Sequence, residues 1–293
     1  MANRRVLVKR RKSVRNLRKI TRTMQLISTA RFQASLKRAV EGRPYAAKLA
    51  ELAADLGRAA ASLDHPLMRV PEPPRRSTLL VLTSNRGLCG SYNANVLRAA
   101  MLWLDAERQA GRQPEVWMVG RKGASYFRFV GRQVHEQIGG VSEKPAFVEV
   151  ERIANRLMER FLAGETDRAA VAYMKFHSAG RQAPAVEPLL PLTTDVVAAQ
   201  GDERPAREIE YEFLPAPKEL LDELLPATVR VRLYQCFNDA TVSEHVARMV
   251  AMKAATDAAD DMNKALTREY NRARQTAITM ELLDIVGGAN ALA

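Results

Sequence analysis

The stretch best suited to chemistry is Ser84-Asn-Arg-Gly-Leu-Cys-Gly90. It follows a run of apolar, strand-forming residues and precedes a helical pattern, where backbone N–H groups can cradle a phosphate. The stretch matches neither GxxxxGK[ST] nor GxGxxG, so a mononucleotide loop and a structural strand-to-helix turn both stay open. Cys89 sits where a helix N-terminus would lower a thiol pKa; with no histidine near it in sequence, a packed thiol is the plainer reading. His65, His135, His177 and His245 are scattered without metal-ligand spacing. Asp257, Asp260 and Asp261 read as a solvated helix face. No nucleophile, base and oxyanion site assembles from these residues. No cofactor, metal or catalytic residue is therefore expected in this chain.

Charge placement is more telling. The chain has 293 residues and a formal net charge of +12. Residues 1–45 hold 14 Lys or Arg and a single acid, Glu41, while the remaining residues nearly balance. A field confined to one end steers one acidic partner rather than binding polyanions everywhere. Residues 11–32, RKSVRNLRKITRTMQLISTARF, carry seven basic groups and no acid. Hydrophobic content of 47% excludes wholesale disorder, and no apolar run is long enough to span a bilayer. Two distant cysteines, Cys89 and Cys236, suggest neither a disulfide framework nor a zinc site and fit a reducing compartment. The Arg-rich start has some presequence character, but no apolar core follows it and the helical rhythm runs on. Its retention is expected.

The elements that would position these groups are two long helices around a compact middle. No Gly or Pro occurs from Ala2 to Glu41. Leu17, Ile20, Met24 and Ile27 step by 3, 4 and 3, a heptad seam. Arg11, Arg15, Arg18 and Arg22 form a second stripe. This helix is expected to end near Gly42-Arg43-Pro44. Between Pro226 and Gly287 lie 60 residues free of Gly and Pro, about 90 Å as one helix. Met252, Ala255, Ala259, Met262, Leu266, Ala273, Ala277 and Met280 keep the rhythm there, and Gly287-Gly288 supplies a stop. Pairing the two helices antiparallel hides both seams; two separate helices of a bundle is the other solution.

Between them, strands are expected at Ser77–Thr83, Glu115–Gly120, Ala169–Phe176 and Ile209–Phe213. Helices are expected at Ala94–Ala110, Arg121–Val130 and Phe147–Leu162. Pro66–Pro74 reads as a stiff linker, and Pro184–Pro205 as an irregular excursion. The fold class is α/β: a long antiparallel coiled coil of the terminal helices plus a small Rossmann-like domain with a mostly parallel sheet. The expected domains are an N-terminal coiled-coil helix and following helical segment at 1–65, an α/β domain at 75–215, and a C-terminal coiled-coil helix at 216–293.

A basic helix can lie in a DNA groove, but this one carries Phe32 as its sole aromatic and no base-reading spacing. Membrane-surface binding needs the apolar ridge that the partner helix requires. A nucleic-acid-binding coiled-coil protein is the alternative reading; a protein partner with acidic loops is favoured.

The stretch KSVRNLRKITRTMQLISTAR resembles the N-terminal signature of the gamma subunit of F-type ATP synthases, close to K-S-V-x-N-T-x-K-I-T-K-A-M. SNRGLCG is similar to that family's D-R-G-L-C-G-G. Residues 243–292 follow the family through ARMVAMKAATD, YNRARQ and AIT-x-EL-x-[DE]IV-x-G-A. The resemblance implies a central rotor shaft that couples ion flow to conformational cycling of catalytic subunits during ATP synthesis or hydrolysis. It implies one copy per complex, three alpha and three beta subunits around the shaft, and the epsilon subunit and membrane c-ring at the foot. Membrane association is then through partners only, on the cytoplasmic face of the bacterial inner membrane or its organellar equivalent, and no nucleic acid is bound. Carried over by position, Met24, Arg248, Arg274 and Gln275 contact the catalytic subunits, and Tyr211 and Phe213 lie at the foot. Leu17, Gln25, Asn85, Met280 and Leu214 depart from the family's usual residues, Leu214 standing where Glu is common before Pro215.

Overall fold

The computed structural model of the chain describes residues 4–59, 65–70, 72–192 and 217–292. In order, the elements are α1 (Arg4–Ala59), a 3-10 turn (Pro66–Met68), β1 (Arg76–Leu82), α2 (Tyr92–Gln109), β2 (Gln113–Val119) and α3 (Arg121–Phe129). They continue with β3 (Glu136–Ile138), α4 (Phe147–Leu162), β4 (Arg168–Ser178), β5 (Arg181–Leu190) and α5 (Pro217–Leu292). The chain divides into two compact units, one of Met1–Ala30 with Arg248–Ala293 and one of Arg31–Ala247.

The larger unit is built on a five-stranded sheet in the order β3-β2-β1-β4-β5. β1 to β4 run parallel and β5 pairs antiparallel with β4. β1 is central, and six of its seven residues are buried, as a strand covered on both faces must be. Successive side chains point to opposite faces. Leu79 and Val81 therefore pack with Val96, Leu97, Leu104 and Phe127 of α2 and α3, while Leu80 and Leu82 pack on the other side. There they meet Ile153, Leu157 and Phe161 of α4 and Leu225, Val229 and Leu233 of α5. The apolar stripe of α4, Val150, Ile153, Ala154, Leu157, Met158 and Phe161, has helical spacing and explains why this segment folds as it does.

Several expectations need correction. α1 does not stop at Gly42-Arg43-Pro44 but runs on to Ala59 with Pro44 inside it. Tertiary packing overrides the breaker: Ala39, Ala46 and Leu49 are buried on either side of it. α5 begins at Pro217, carries Pro226 within it, and passes through Gly287-Gly288. Pro66–Pro74 is more than a linker, since Leu67 is buried and its carbonyl accepts from the Leu192 N–H at 2.9 Å. Part of the supposed excursion is strand β5. Its Pro184 and Pro188 share one register parity, and proline is tolerated on an edge strand because an N–H is not needed there. The strand expected at Ile209–Phe213 lies outside the described residues.

The turn from β2 into α3 is held by close backbone approach. Gly120 has φ +95°, and a Cβ there would meet the Thr83 carbonyl oxygen at 2.1 Å. Gly111 also has positive φ (+75°), but open space around it. Gly120→Ala is expected to destabilise the chain by more than ~2 kcal/mol and Gly111→Ala by about 1 kcal/mol, the difference being steric. Urea unfolding of the two variants checks the order; equal losses would contradict it.

Candidate functional site

Two places gather polar groups: the carboxyl edge of the sheet and the paired helices of the smaller unit. At the sheet edge, Ser84 to Gly90 makes a tight turn in which Leu88 takes φ +64°. Ser84 and Asn93 fasten the turn, with the Ser84 N–H donating to Asn93 Oδ1 at 3.0 Å. Asn93 Nδ2 donates to the buried Cys89 sulfur at 3.2 Å. The first N–H groups of α3 are taken by this same turn: Arg121 by Asn85 Oδ1, Lys122 by the Ser84 carbonyl and Gly123 by Thr83 Oγ1. Where an open α/β sheet holds its ligand, α5 supplies Phe237, Ala240, Thr241 and His245. The space left is about 50 Å³, far below the ~300 Å³ at which small-molecule pockets begin. The turn organises a helix start.

The smaller unit is a two-helix antiparallel pair. Thr21 and Thr256 are both buried with hydroxyl oxygens 2.8 Å apart. The Arg18 carbonyl lies 3.1 Å from the Thr21 hydroxyl, and the Met252 carbonyl 2.8 Å from that of Thr256. One hydroxyl proton therefore bridges the helices while the other returns to its own backbone. Arg18 forms an ion pair with Asp260, and the Arg11 guanidinium lies 4.8 Å above the Tyr270 ring. Leu7 and Val14 pack with Ala259, Leu266, Tyr270 and Ala273.

This seam is not the one expected on α1. Leu17 and Ile20 are 54% and 57% exposed, and Ile27 is exposed as well. The buried series is Leu7, Val14, Thr21 and Ser28, a strict seven-residue repeat. Arg11, Arg18 and Gln25 fill the alternate seam positions. On α5, Met252, Thr256, Ala259 and Leu266 are buried, whereas Met262 and Met280 face out. The physical reason lies in close approach. Thr, Ser and Ala let the backbones come together, and the aliphatic stems of Arg11 and Arg18 cover the seam while their charges reach the edge. The exact repeat of small and branched residues was the signal available in the sequence; weighting bulk over spacing obscured it.

Of the other residues singled out, Met24 is half-buried and Arg274 and Gln275 are exposed. Arg248 is only 6% exposed in this chain. Tyr211, Phe213, Leu214 and Pro215 lie outside the described residues. The outward face of α1 carries Arg4, Arg5, Lys9, Arg10, Lys12, Arg15, Lys19 and Arg22, all exposed. Between the helices an open groove of about 540 Å³ is lined by Arg11, Lys12, Arg15, Arg18 and Lys19, with Asp260 as its one acid. From Ile278 to Gly287 every side chain of α5 is exposed, including Ile278, Met280, Leu282, Leu283, Ile285 and Val286. Among the described residues no helix is long and apolar enough to cross a membrane.

Residues 3–292 match the family model described as ATP synthase. The chain is 42% identical to the ATP synthase gamma chain of Rhodopirellula baltica, covering 100% of this chain and 99% of that one. Identity to the gamma chain of Leptospira biflexa is 37% with both chains fully covered. A chain from the mitochondrial ATP synthase of Euglena gracilis, in a structure of its OSCP, F1 and c-ring, superposes with a TM-score of 0.68 at 18% identity, covering 99% of this chain and 94% of that one. A central-stalk and c-ring structure from Tetrahymena thermophila gives 0.61 at 20% identity, covering 80% and 99%. Nothing among these relatives supports nucleic-acid binding.

The seam can be checked by cross-linking. Thr21→Cys with Thr256→Cys should close a disulfide under mild oxidation, seen as a mobility shift on a non-reducing gel. Leu17→Cys with Thr256→Cys should not, because Leu17 faces solvent. Equal bridging by both pairs would contradict this seam.

Proposed function

The chain belongs to the ATP synthase gamma-chain family, and on that premise we propose that it is the central rotor shaft of an ATP synthase, itself noncatalytic. The observation that carries the reading is full-length identity to gamma chains in a protein whose terminal helices pair into a two-stranded rod with a basic exterior. One copy stands within three alpha and three beta subunits, with the epsilon subunit and the membrane ring at the foot, on the cytoplasmic face or its organellar equivalent. Membrane attachment is through these partners.

A shaft changes its neighbours only if its contacts favour one of their conformations over another at each angle. A two-helix rod is suited to this because it has no threefold symmetry, so each surrounding subunit meets a different face. Charge outside and close packing inside divide the labour. Attraction between exposed arginines and acidic loops falls off over about 8–10 Å in physiological salt, so it changes smoothly as the shaft turns. Interlocked apolar contact would instead resist turning. The exposed apolar end of α5, Ile278 to Val286, calls for a nonpolar collar that bears on it without gripping.

By family position, Arg274 and Gln275, exposed on α5, are assigned to an acidic loop of a catalytic subunit, and Met24 to its moving segment. Arg248, buried in this chain, is assigned to the same coupling region by family position alone. Tyr211 and Phe213 are assigned to the foot by family position alone.

Purification of the native complex through a tag on this chain should recover ATP-hydrolysing alpha and beta subunits; recovery of nucleic acid without them would overturn the reading. Replacing Arg274 and Gln275 together with Ala should lower ATP synthesis by energised membranes about tenfold. Unchanged synthesis would remove their assigned role.

A further inference from the structure

α1 is intrinsically weakest at the level where it carries a charge into the larger unit. Gly42 is a poor residue for a helix interior, because it loses the most backbone freedom on ordering. Pro44 removes the hydrogen bond to the Val40 carbonyl and crowds that turn. Between them, Arg43 Nη2 donates to the Phe176 carbonyl of β4 at 3.1 Å and lies 3.5 Å from Asp239 Oδ1 on α5. Asp239 is buried, its side chain 7% exposed, and it also accepts from Gln235 Nε2 at 3.1 Å and from a backbone N–H at Phe176. Gly42 faces Gln235, whose Oε1 would lie 3.7 Å from a Cβ added there. One carboxylate thus collects groups from both long helices and from the sheet.

Stability does not account for this arrangement. Burial pushes the Asp239 carboxyl above its ordinary range, and Arg43, Gln235 and the Phe176 N–H offset that only in part. A carboxyl whose native pKa is raised weakens the fold as pH climbs from its unfolded value through its native one. Once ionised, the group is therefore a net burden to the fold. Buried ionic groups of this kind are best explained when they fix how elements are registered.

We propose that Arg43, Asp239 and the Phe176 carbonyl form a torsional latch that fixes α1 to α5 and β4 at the Gly42–Pro44 weak point. Twist entering through one long helix is then carried by both helices and the sheet, instead of unwinding the turn around Pro44. The latch rests on the rotor reading, because only a chain under torque needs it.

The test uses the whole complex reconstituted in vesicles with the Arg43→Ala, Arg43→Lys or Asp239→Asn chain, reading ions taken up per ATP hydrolysed. Arg43→Ala and Asp239→Asn should each lower that ratio about fivefold. Their combination should do no worse than either alone, as for residues acting as one unit, and Arg43→Lys should recover part of the loss. Thermal unfolding of the full-length Asp239→Asn chain should occur at an unchanged or higher temperature, which a merely structural role would not give. A normal uptake ratio in assembled Arg43→Ala and Asp239→Asn complexes would overturn the latch, as would a lower unfolding temperature in proportion to lost uptake. If a variant does not assemble, Gln235→Ala is read in the same assay with the same two outcomes. Failure of the rotor reading looks different: the wild-type chain would be missing from the ATP-hydrolysing complex altogether.

Discussion

Two helices can form a thin rod in water only if each hides a stripe against the other and nothing else is required to cover them. The smaller unit depends on this constraint. A bulky apolar seam would hold the axes apart and leave gaps that a two-helix pair has no third element to fill. Here the seam is Leu7, Val14, Thr21 and Ser28 against Met252, Thr256, Ala259 and Leu266. Small side chains allow close approach, and the Thr21–Thr256 contact satisfies hydroxyls that would otherwise be stranded. Arg11 over Tyr270 and Arg18 with Asp260 close the edges. Arg11 and Arg18 seal the narrow seam while keeping their charges at its edge, and the remaining cations of α1 lie on its outward face.

The larger unit meets a different demand. Its sheet is covered by α2 and α3 on one face and by α4 and α5 on the other, so α5 doubles as a core element. That double duty accounts for the filled crevice at the carboxyl edge of the sheet. Phe237 and His245 stand where other folds of this kind place a ligand. In this unit a doubly wound topology has its carboxyl edge filled by side chains of α5.

Much of this was legible in the residues. α4 was readable end to end, because its apolar positions keep helical spacing without a break, and β1, β2, β4, α2 and α3 came within a few residues of their observed limits. β5 was hidden by Pro184 and Pro188, which argue against a strand unless the strand is known to lie on an edge. Pro44 misled in the same manner: local chemistry says stop, and burial on either side says continue. The seam on α1 was misplaced because Leu17, Ile20 and Ile27 look like core by composition, yet they face outward. An apolar face that the fold leaves uncovered is a statement about partners, and composition alone does not distinguish it from a seam. Family identity was legible from the terminal blocks, and relatives of 37–42% identity over the full length bear it out.

The central claim, that this chain turns inside its complex, is open to direct observation. A reporter attached at the exposed Phe129 position, in a complex immobilised through its nucleotide-binding subunits, follows the angle of the α/β unit. With ATP present, the account predicts one-way rotation with one dwell per catalytic subunit in each turn. A reporter that keeps a fixed angle while the same molecules hydrolyse ATP would contradict it.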